Sequence, residues 1–287
     1  MFVFCDLWLA CQSKTRAVKA AKSEGMASQM GLHTAQFQTT LAESAEDLRA
    51  AQALRYQVFV QEMGATGPAV CHDQLLEADA LDRFCDHLLL RDMARDGQVV
   101  GVYRLLRQDQ AAQTRGFYSE AEFDLTALHG SGKRLLELGR SCLHPEYRGG
   151  AALFHLWSGL AGYVAAHEID IVFGVASFPG TDTARLGAPL SLLHHRYRSP
   201  AALRTVSRQV QTGVELLPIE KVQTKAAMLQ VPALIKGYLK MGGTIGDGVF
   251  VDHAFNTTDI CIVLAADQIN ARQRGVLERS GQRGSIL

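Results

Sequence analysis

The stretch LLELGRSCLHPEYRGGAA, residues Leu135 to Ala152, is the one from which a fold can be read. Leu135 to Leu143 is short and alternating, as a strand is, and the residues after Gly150 take on helical spacing. Between them lies a turn, His144 to Gly150, bearing two glycines. A strand that runs through such a turn into a helix aims the helix's first free N–H groups, and its positive dipole end, at whatever sits in the turn. That arrangement suits a phosphate. On the strand itself, alternation puts Glu137, Gly139 and Ser141 on one face and Leu136, Leu138, Arg140 and Cys142 on the other. On an ideal strand Arg140 points away from Glu137; across a bulge it would reach Glu137's neighbourhood. A carboxylate and a phosphate cradle become neighbours, and Glu137 is expected to act as a general base beside a phosphate-bearing donor. Without the cradle it would read as a solvated edge-strand charge.

Strand, Arg148, Gly149, Gly150 and a helix from Ala151 to about Ala166 together resemble the central strand, turn and helix of the GNAT acyltransferases. There an R-x-x-G-x-G/A loop holds the coenzyme A pyrophosphate. Here the loop reads Arg148-Gly149-Gly150-Ala151-Ala152-Leu153, with Ala151 where the glycine at the motif's fourth position is usual. A donor with a single phosphate, such as the phosphopantetheine arm of acyl carrier protein, fits that departure. The implied fold is α/β and GNAT-like: a mixed, mostly antiparallel central sheet flanked by helices, with a splayed pair of central strands where the donor enters. Ile169 to Ala176 is the apolar internal strand of that pair. Ser177 and Phe178, following it, are expected at the donor's mouth.

Working outward, 287 residues with 47% hydrophobic content can bury a substantial core. Twenty-nine basic residues balance 29 acidic ones, which gives no global reason to expect nucleic acid. Cys5, Cys11, Cys71, Cys85, Cys142 and Cys261 form no C-x-x-C pair, so neither a zinc site nor a disulfide framework is indicated. Reduced thiols fit a cytoplasmic protein. Met1 to Cys11 is apolar but carries Asp6, and its cations follow it, the reverse of a secretory signal. Residues 1–35 are expected to be an extension outside the fold, with an interfacial anchor as the other reading. Residues 36–270 form the expected catalytic domain and residues 271–287 a tail.

Phe37 to Leu41 alternates like a strand, and Ser44 followed by Asp47 reads as a helix cap before Leu48 to Val60. The acidic run Glu77, Asp79, Asp82, Asp86 leads straight onto the strand His87 to Leu90. A solvated loop is the plain reading of such a run; carboxylates at a strand mouth can also select a cationic substrate. The spacing lacks the glycine and closing glutamate of a calcium loop, and His194-His195 face different ways on a helix, so no metal is expected. Gln98 to Arg107 is the returning strand, covered on one face, with Gly101 at a bulge or close approach. Gly116 to Leu125 reads as a loop able to cover a site. Pro232 opens a helix that ends at Gly242-Gly243, and Ile245 to Leu264 forms a terminal hairpin whose Asp252, His253, Asn256 and Asp259 read as a capped turn, with amino-acid substrate recognition as the other reading.

RYQVFVQEMGA, DALDRFCDHLLL, VVGVYRLLR, GFYSEAEFDL, LELGRSCLHPEYR, VASFPGTD, LIKGYLKMGG and VDHAFNTTDICIVL, spread in order over residues 37–270, resemble the ornithine N-alpha-acyltransferases of bacterial ornithine-lipid synthesis, relatives of the acyl-homoserine lactone synthases. The resemblance implies transfer of a 3-hydroxyacyl chain from acyl carrier protein to the alpha-amine of L-ornithine, with no tightly bound cofactor. It also implies a separate O-acyltransferase to complete the lipid, and allows peripheral contact with the inner membrane. Glu137 would be the base. Asp79, Asp82 and Asp86 would hold the side-chain ammonium, Arg55 and Phe59 would line the acyl path, and Arg140 would take the substrate carboxylate. Arg148, Gly149, Gly150, Ser177 and Phe178 would hold the phosphopantetheine, and Arg148 with Lys133 or Arg134 would meet the acidic carrier. Other acceptors, S-adenosylmethionine among them, and an acyl-binding protein without turnover are the alternatives.

Overall fold

The structure, a computed structural model, describes residues 36–148, 151–210 and 213–266. The N-terminal extension, the paired Gly149 and Gly150, and the C-terminal tail named above lie outside the described residues. The described chain builds an eight-stranded sheet. In chain order its strands are β1 (Phe37–Leu41), β2 (Asp86–Asp92), β3 (Gln98–Arg107), β4 (Leu135–Leu143), β5 (Ile171–Pro179), β6 (Thr244–Ile245), β7 (Phe250–Asp252) and β8 (Thr257–Ala265). Across the sheet they run β1-β2-β3-β4-β5-β8-β6, with β7 also paired to β8. Every pairing is antiparallel except β4 with β5. Parallel neighbours need a long crossover, and helix α2 (Ala152–Ala166) supplies it.

That parallel pair is brief. It holds Leu135 to Ile171, Leu136 to Val172 and Glu137 to Phe173, and then the strands part. Gly174 stands at the parting point: a Cβ there would lie 2.2 Å from the Leu138 carbonyl oxygen, so the backbones approach more closely than any side chain allows. On its other edge β5 is paired with β8 along its whole length, and past Gly174 that pairing continues with Ser177 opposite Asp259 and Phe178 opposite Thr258. The strand thus runs on to Pro179, past the expected exit at Ala176, because β8 offers it a continuous partner.

Helix α1 (Ala45–Arg55) starts where the cap predicts, with the Ser44 hydroxyl accepting the Asp47 N–H at 3.1 Å. It continues as a π-helical segment, Tyr56–Glu62, a wider coil found often at functional sites. On one face of the sheet α1 packs Ala51, Leu54 and Val58 onto Leu89, Val102 and Cys142. Farther along that face, the 116–128 region packs Phe117, Phe123, Leu125 and Leu128 onto Leu106, Leu135 and Phe173. The opposite face carries α2 and α4 (Ala233–Lys240), with α3 (Gly187–Tyr197) beyond; Leu156, Trp157, Leu160, Ile235 and Tyr238 meet Tyr103, Leu105, Leu136, Leu138 and Ile262. Strand β3 is consequently buried from Val99 to Leu106, covered on both faces rather than one. Gly101 sits beside a bulge at Leu90/Arg91, and a Cβ on it would press within 2.7 Å of the Leu143 side chain. Cys71, Cys85, Cys142 and Cys261 are free thiols.

Candidate active site

Between the two apolar patches on the α1 face lies a polar layer built around β3 and β4. Arg55, at the end of α1, donates from Nη1 and Nη2 to Asp82 at 2.9 and 3.1 Å and from Nε to Glu77 at 2.5 Å. Glu77 also accepts from Arg140 at 3.0 Å, and Arg140 reaches Asp79 at 3.1 Å. Arg104 then joins Asp79 at 2.6 Å to Asp82 at 3.0 Å. Three guanidinium groups and three carboxylates thus close into a ring, neutral in total. Arg55 and Glu77 are fully buried and Asp82 and Arg104 nearly so. Burial by itself pushes the Asp82 pKa up; the charges of Arg55 and Arg104 reverse this and hold it well below the usual carboxylate range.

The ring gives two expected substrate carboxylates, Asp79 and Asp82, another occupation: their charge is already met by arginine. Asp86 is likewise taken, by Arg107 and the Tyr163 hydroxyl. Arg55 belongs to the ring and does not line the cavity described next. Arg140 overturns the strand-alternation argument. Where β3 pairs with β4 the register slips between Val102 and Arg104, so Arg140 and Ser141 together oppose one residue. Arg140 takes a left-handed φ of 49°, and this β-bulge swings its side chain onto the Glu137 face. There its guanidinium lies 4.8 Å from the Tyr118 ring centre and 4.6 Å from that of Phe255, held by cation–π attraction. Ser141, displaced in turn, is bonded to Tyr103 on the α2 face.

A cavity of about 430 Å³ opens where β4 and β5 part and reaches both faces of the sheet. Glu137, Arg140, Phe59, Arg148 and Ser177 line it; Phe178 does not, being buried in the core under α2. Glu137 is held by the loop that was expected to cover a site. Its carboxylate accepts the backbone N–H groups of Tyr118 and Ser119, each at 2.7 Å, and the Ser119 hydroxyl. A carboxylate has about four lone-pair positions, so about one stays open toward the cavity. Burial raises the Glu137 pKa, against the pull of those donors. Arg148 stands at the other end of β4, paired with the exposed Glu62 at 2.7 Å and donating to the Leu143 carbonyl at 3.2 Å. The N-terminus of α2 follows, its cap residue Ala151 making no side-chain bond to the free N–H groups. Arg134 pairs with Glu168 at the surface.

On the α2 side the wall is phenolic. Trp157 Nε1 donates to the Tyr103 hydroxyl at 3.0 Å, which is 2.9 Å from that of Tyr238. Burial raises the pKa of both phenols, so both stay protonated. Neither tyrosine stands out in the sequence: each occupies an apolar position of its element, and only the fold brings them together at the cavity. Glu122, Asp252 and Asp259 line the cavity on the Glu137 side; Asp252 and Asp259 come from the turn for which amino-acid recognition is the second reading of the sequence, and Glu122 reads there only as part of the covering loop.

Comparison with known proteins bears on this geometry. Residues 54–158 match the family described as Acetyltransferase (GNAT) domain. A curated protein named L-ornithine N(alpha)-acyltransferase from Rhodobacter capsulatus is 49% identical over 242 residues, 83% of this chain and 93% of that protein. One of the same name from Agrobacterium fabrum is 40% identical over 264 residues, 90% of this chain and 89% of that protein. Among solved structures, an N-acyl amino acid synthase from uncultured soil microbes superposes with a TM-score of 0.47 at 11% identity, covering 82% of this chain and 93% of that one. An AHL synthase gives 0.44 at 15% identity, covering 79% and 89%.

Proposed function

The chain belongs to the L-ornithine N(alpha)-acyltransferase family and is an N-acyltransferase, and from that premise we propose that it moves a 3-hydroxyacyl chain from acyl carrier protein to the alpha-amine of L-ornithine, the first step of ornithine-lipid synthesis. The observation that carries the reading is the cavity at the strand opening, with a carboxylate on one side of the sheet and protonated phenols on the other. Aminolysis of a thioester needs both. The amine nitrogen must be neutral to attack the carbonyl carbon, yet an alpha-ammonium group has a pKa of roughly 8. Glu137 takes that proton, directly or through a water. As the C–N bond forms and the C–S bond breaks, the nitrogen sheds its second proton, which is relayed to the departing sulfur through Tyr238, backed by Tyr103 and Trp157, so that the phenol ends protonated as it began. N–H groups of β4, freed where β5 leaves it, face the developing oxyanion.

The donor's single phosphate rests at the start of α2 against Arg148, with Ser177 beside it. Arg140 offers its charge to the acceptor's carboxylate, and Phe59 borders the acyl path. The acyl carrier protein docks from the Arg148 side, and a separate O-acyltransferase consumes the product. Among the described residues no helix is long and apolar enough to cross a membrane; the product's acyl chain is handed over at the cytoplasmic membrane surface.

The test is an incubation of purified protein with 3-hydroxyacyl carrier protein, or the matching coenzyme A thioester, and a panel of amines that includes L-ornithine and S-adenosylmethionine. Released thiol and product mass are followed. Ornithine-dependent amide formation supports the reading; amide formation with another amine alone changes the acceptor, and preference for the coenzyme A thioester changes the donor.

A further inference from the structure

Besides Glu62, which is paired with Arg148, four acidic side chains line the cavity on the α1 side of the sheet: Glu137, Glu122, Asp252 and Asp259. The first is satisfied by the Tyr118–Ser119 donors. The other three come from separate elements: Glu122 from the covering loop, Asp252 from the end of β7, and Asp259 from the middle of β8. Each offers a carboxylate oxygen within 4.8 Å of the others. None of the three is in an ion pair among the described residues. The guanidinium groups that could have met them, those of Arg55, Arg104 and Arg140, are committed to Glu77, Asp79 and Asp82.

Two of these carboxylates are also buried without full hydrogen bonding. Glu122 is 4% exposed and Asp259 2% exposed, and Glu122 Oε2 and Asp259 Oδ1 have no hydrogen-bond partner. A buried polar atom is nearly always partnered, and a buried anion without a counter-charge is costly. Asp252 is fixed in place, its Oδ1 accepting the N–H groups of Ala254 at 2.7 Å and Phe255 at 3.0 Å. Two open acceptors and a third anchored acid, gathered on the wall of a cavity that already holds a base and an arginine, await a cationic ligand.

Resting on the amine-acylation reading above, we propose that Glu122, Asp252 and Asp259 form the subsite for the side-chain ammonium group of a diamino acid acceptor, and so select it over amino acids with neutral side chains. An ammonium group has three N–H donors and no acceptor, which matches a pocket of acceptors. A divalent ion is the other occupant such a cluster could take, with water completing its shell, and the test below separates the two. Proton balance agrees with the assignment. Burial, aided by the neighbouring acids, pushes Glu122 up to about 9 and Asp259 up to about 6. Empty, the subsite keeps a proton near neutrality, and the arriving ammonium displaces it.

The test compares kcat/KM for L-ornithine and L-norvaline, which has the same carbon skeleton without the side-chain amine, in wild type, Glu122→Gln, Asp259→Asn and Asp252→Asn. The same acyl donor is used throughout, and folding is checked by near-UV circular dichroism. A charged hydrogen bond is worth about 1.5–3 kcal/mol, so the ornithine-to-norvaline ratio should fall roughly 10- to 150-fold in Glu122→Gln and Asp259→Asn. Asp252→Asn, which keeps its turn oxygen, should lower the ratio less. In wild type the ratio should rise with pH between about 6 and 9 as the subsite ionises. Equal losses for both amines overturn the assignment, as does activity abolished by EDTA together with saturable calcium, magnesium or manganese binding that Asp259→Asn removes. Wild-type protein that acylates neither amine defeats the acylation reading itself, a separate result.

Discussion

Replacing Arg55 by Met removes one of three cations from a ring that is neutral as built. Arg55 is fully buried, donates to Asp82 with both terminal nitrogens and to Glu77 through Nε, and has no route to water. After the change Glu77 keeps Arg140 and Asp82 keeps Arg104, and the ring carries one uncompensated buried charge. Breaking a buried pair by deleting one partner costs about 3–5 kcal/mol. At about 2–4 °C per kcal/mol for a domain of this size, the melting temperature should drop by roughly 6–20 °C. Packing loss alone predicts that adding Asp82→Asn makes matters worse. Charge imbalance predicts the opposite, so Arg55→Met/Asp82→Asn should be more stable than Arg55→Met, a coupling that a double-mutant cycle measures. The pH dependence follows from the direction of the Asp82 pKa. A carboxylate depressed in the native state contributes stability above its ordinary pKa of about 3.9 and loses it only as pH falls through the lower native value. Wild type therefore keeps the ring intact near pH 4, while in Arg55→Met protonation of a carboxylate left with less positive charge relieves the strain, and the gap between the two proteins narrows. Urea unfolding of the three proteins at pH 4 and pH 7 checks this. An Arg55→Met loss under about 1 kcal/mol, or a double variant less stable than the single one, would refute the reasoning.

Other consequences concern the cavity and its walls. Gly174→Ala places a methyl group against the Leu138 carbonyl oxygen, which cannot rotate away, and should cost about 1–3 kcal/mol in thermal or urea unfolding. Arg148→Ala deletes an exposed ion pair worth at most about 1 kcal/mol, so stability should barely move, while KM for the acyl donor should rise about tenfold or more if Arg148 meets its phosphate. Glu122, with a native pKa of about 9 against an ordinary 4.5, binds its proton more tightly folded than unfolded, so its contribution is greatest at low pH and falls as pH rises through that interval. Glu122→Gln should flatten that decline and raise the melting temperature at pH 8 by roughly 2–4 °C, the equivalent of about 1 kcal/mol.

Strand limits and the helix cap were legible because they are written locally. Leu135 to Leu143 alternates, and Ser44 precedes Asp47 by three residues; the structure has that strand with those limits and a helix capped at Ser44, and the strand Gln98 to Arg107 keeps its expected limits although both its faces are buried. The ring was not legible. Its ion pairs join residues 22 to 63 positions apart, and the run Glu77, Asp79, Asp82, read alone, offers carboxylates to a substrate when the fold has already given them arginines. Alternation alone sends Arg140 to the wrong face because it assumes an unbroken strand; a bulge is the other reading, and the one opposite Tyr103 brings Arg140 to Glu137's side. Asp252 and Asp259 read as a capped turn, with amino-acid recognition as the other reading, and Glu122 reads only as part of a covering loop. Each looked like a loop or turn acid in its own segment, and the cavity that joins them exists only after β4 and β5 separate.

The account stands most directly on Glu137, the carboxylate held open toward the cavity at the strand opening. Steady-state thiol release by Glu137→Gln, with fold verified by near-UV circular dichroism, measures it. A general base contributes about 10²- to 10⁴-fold, so kcat should fall by that factor with KM for amine and donor little changed. Wild-type kcat in the folded Glu137→Gln protein would contradict the account and send the search for the base elsewhere along the cavity wall.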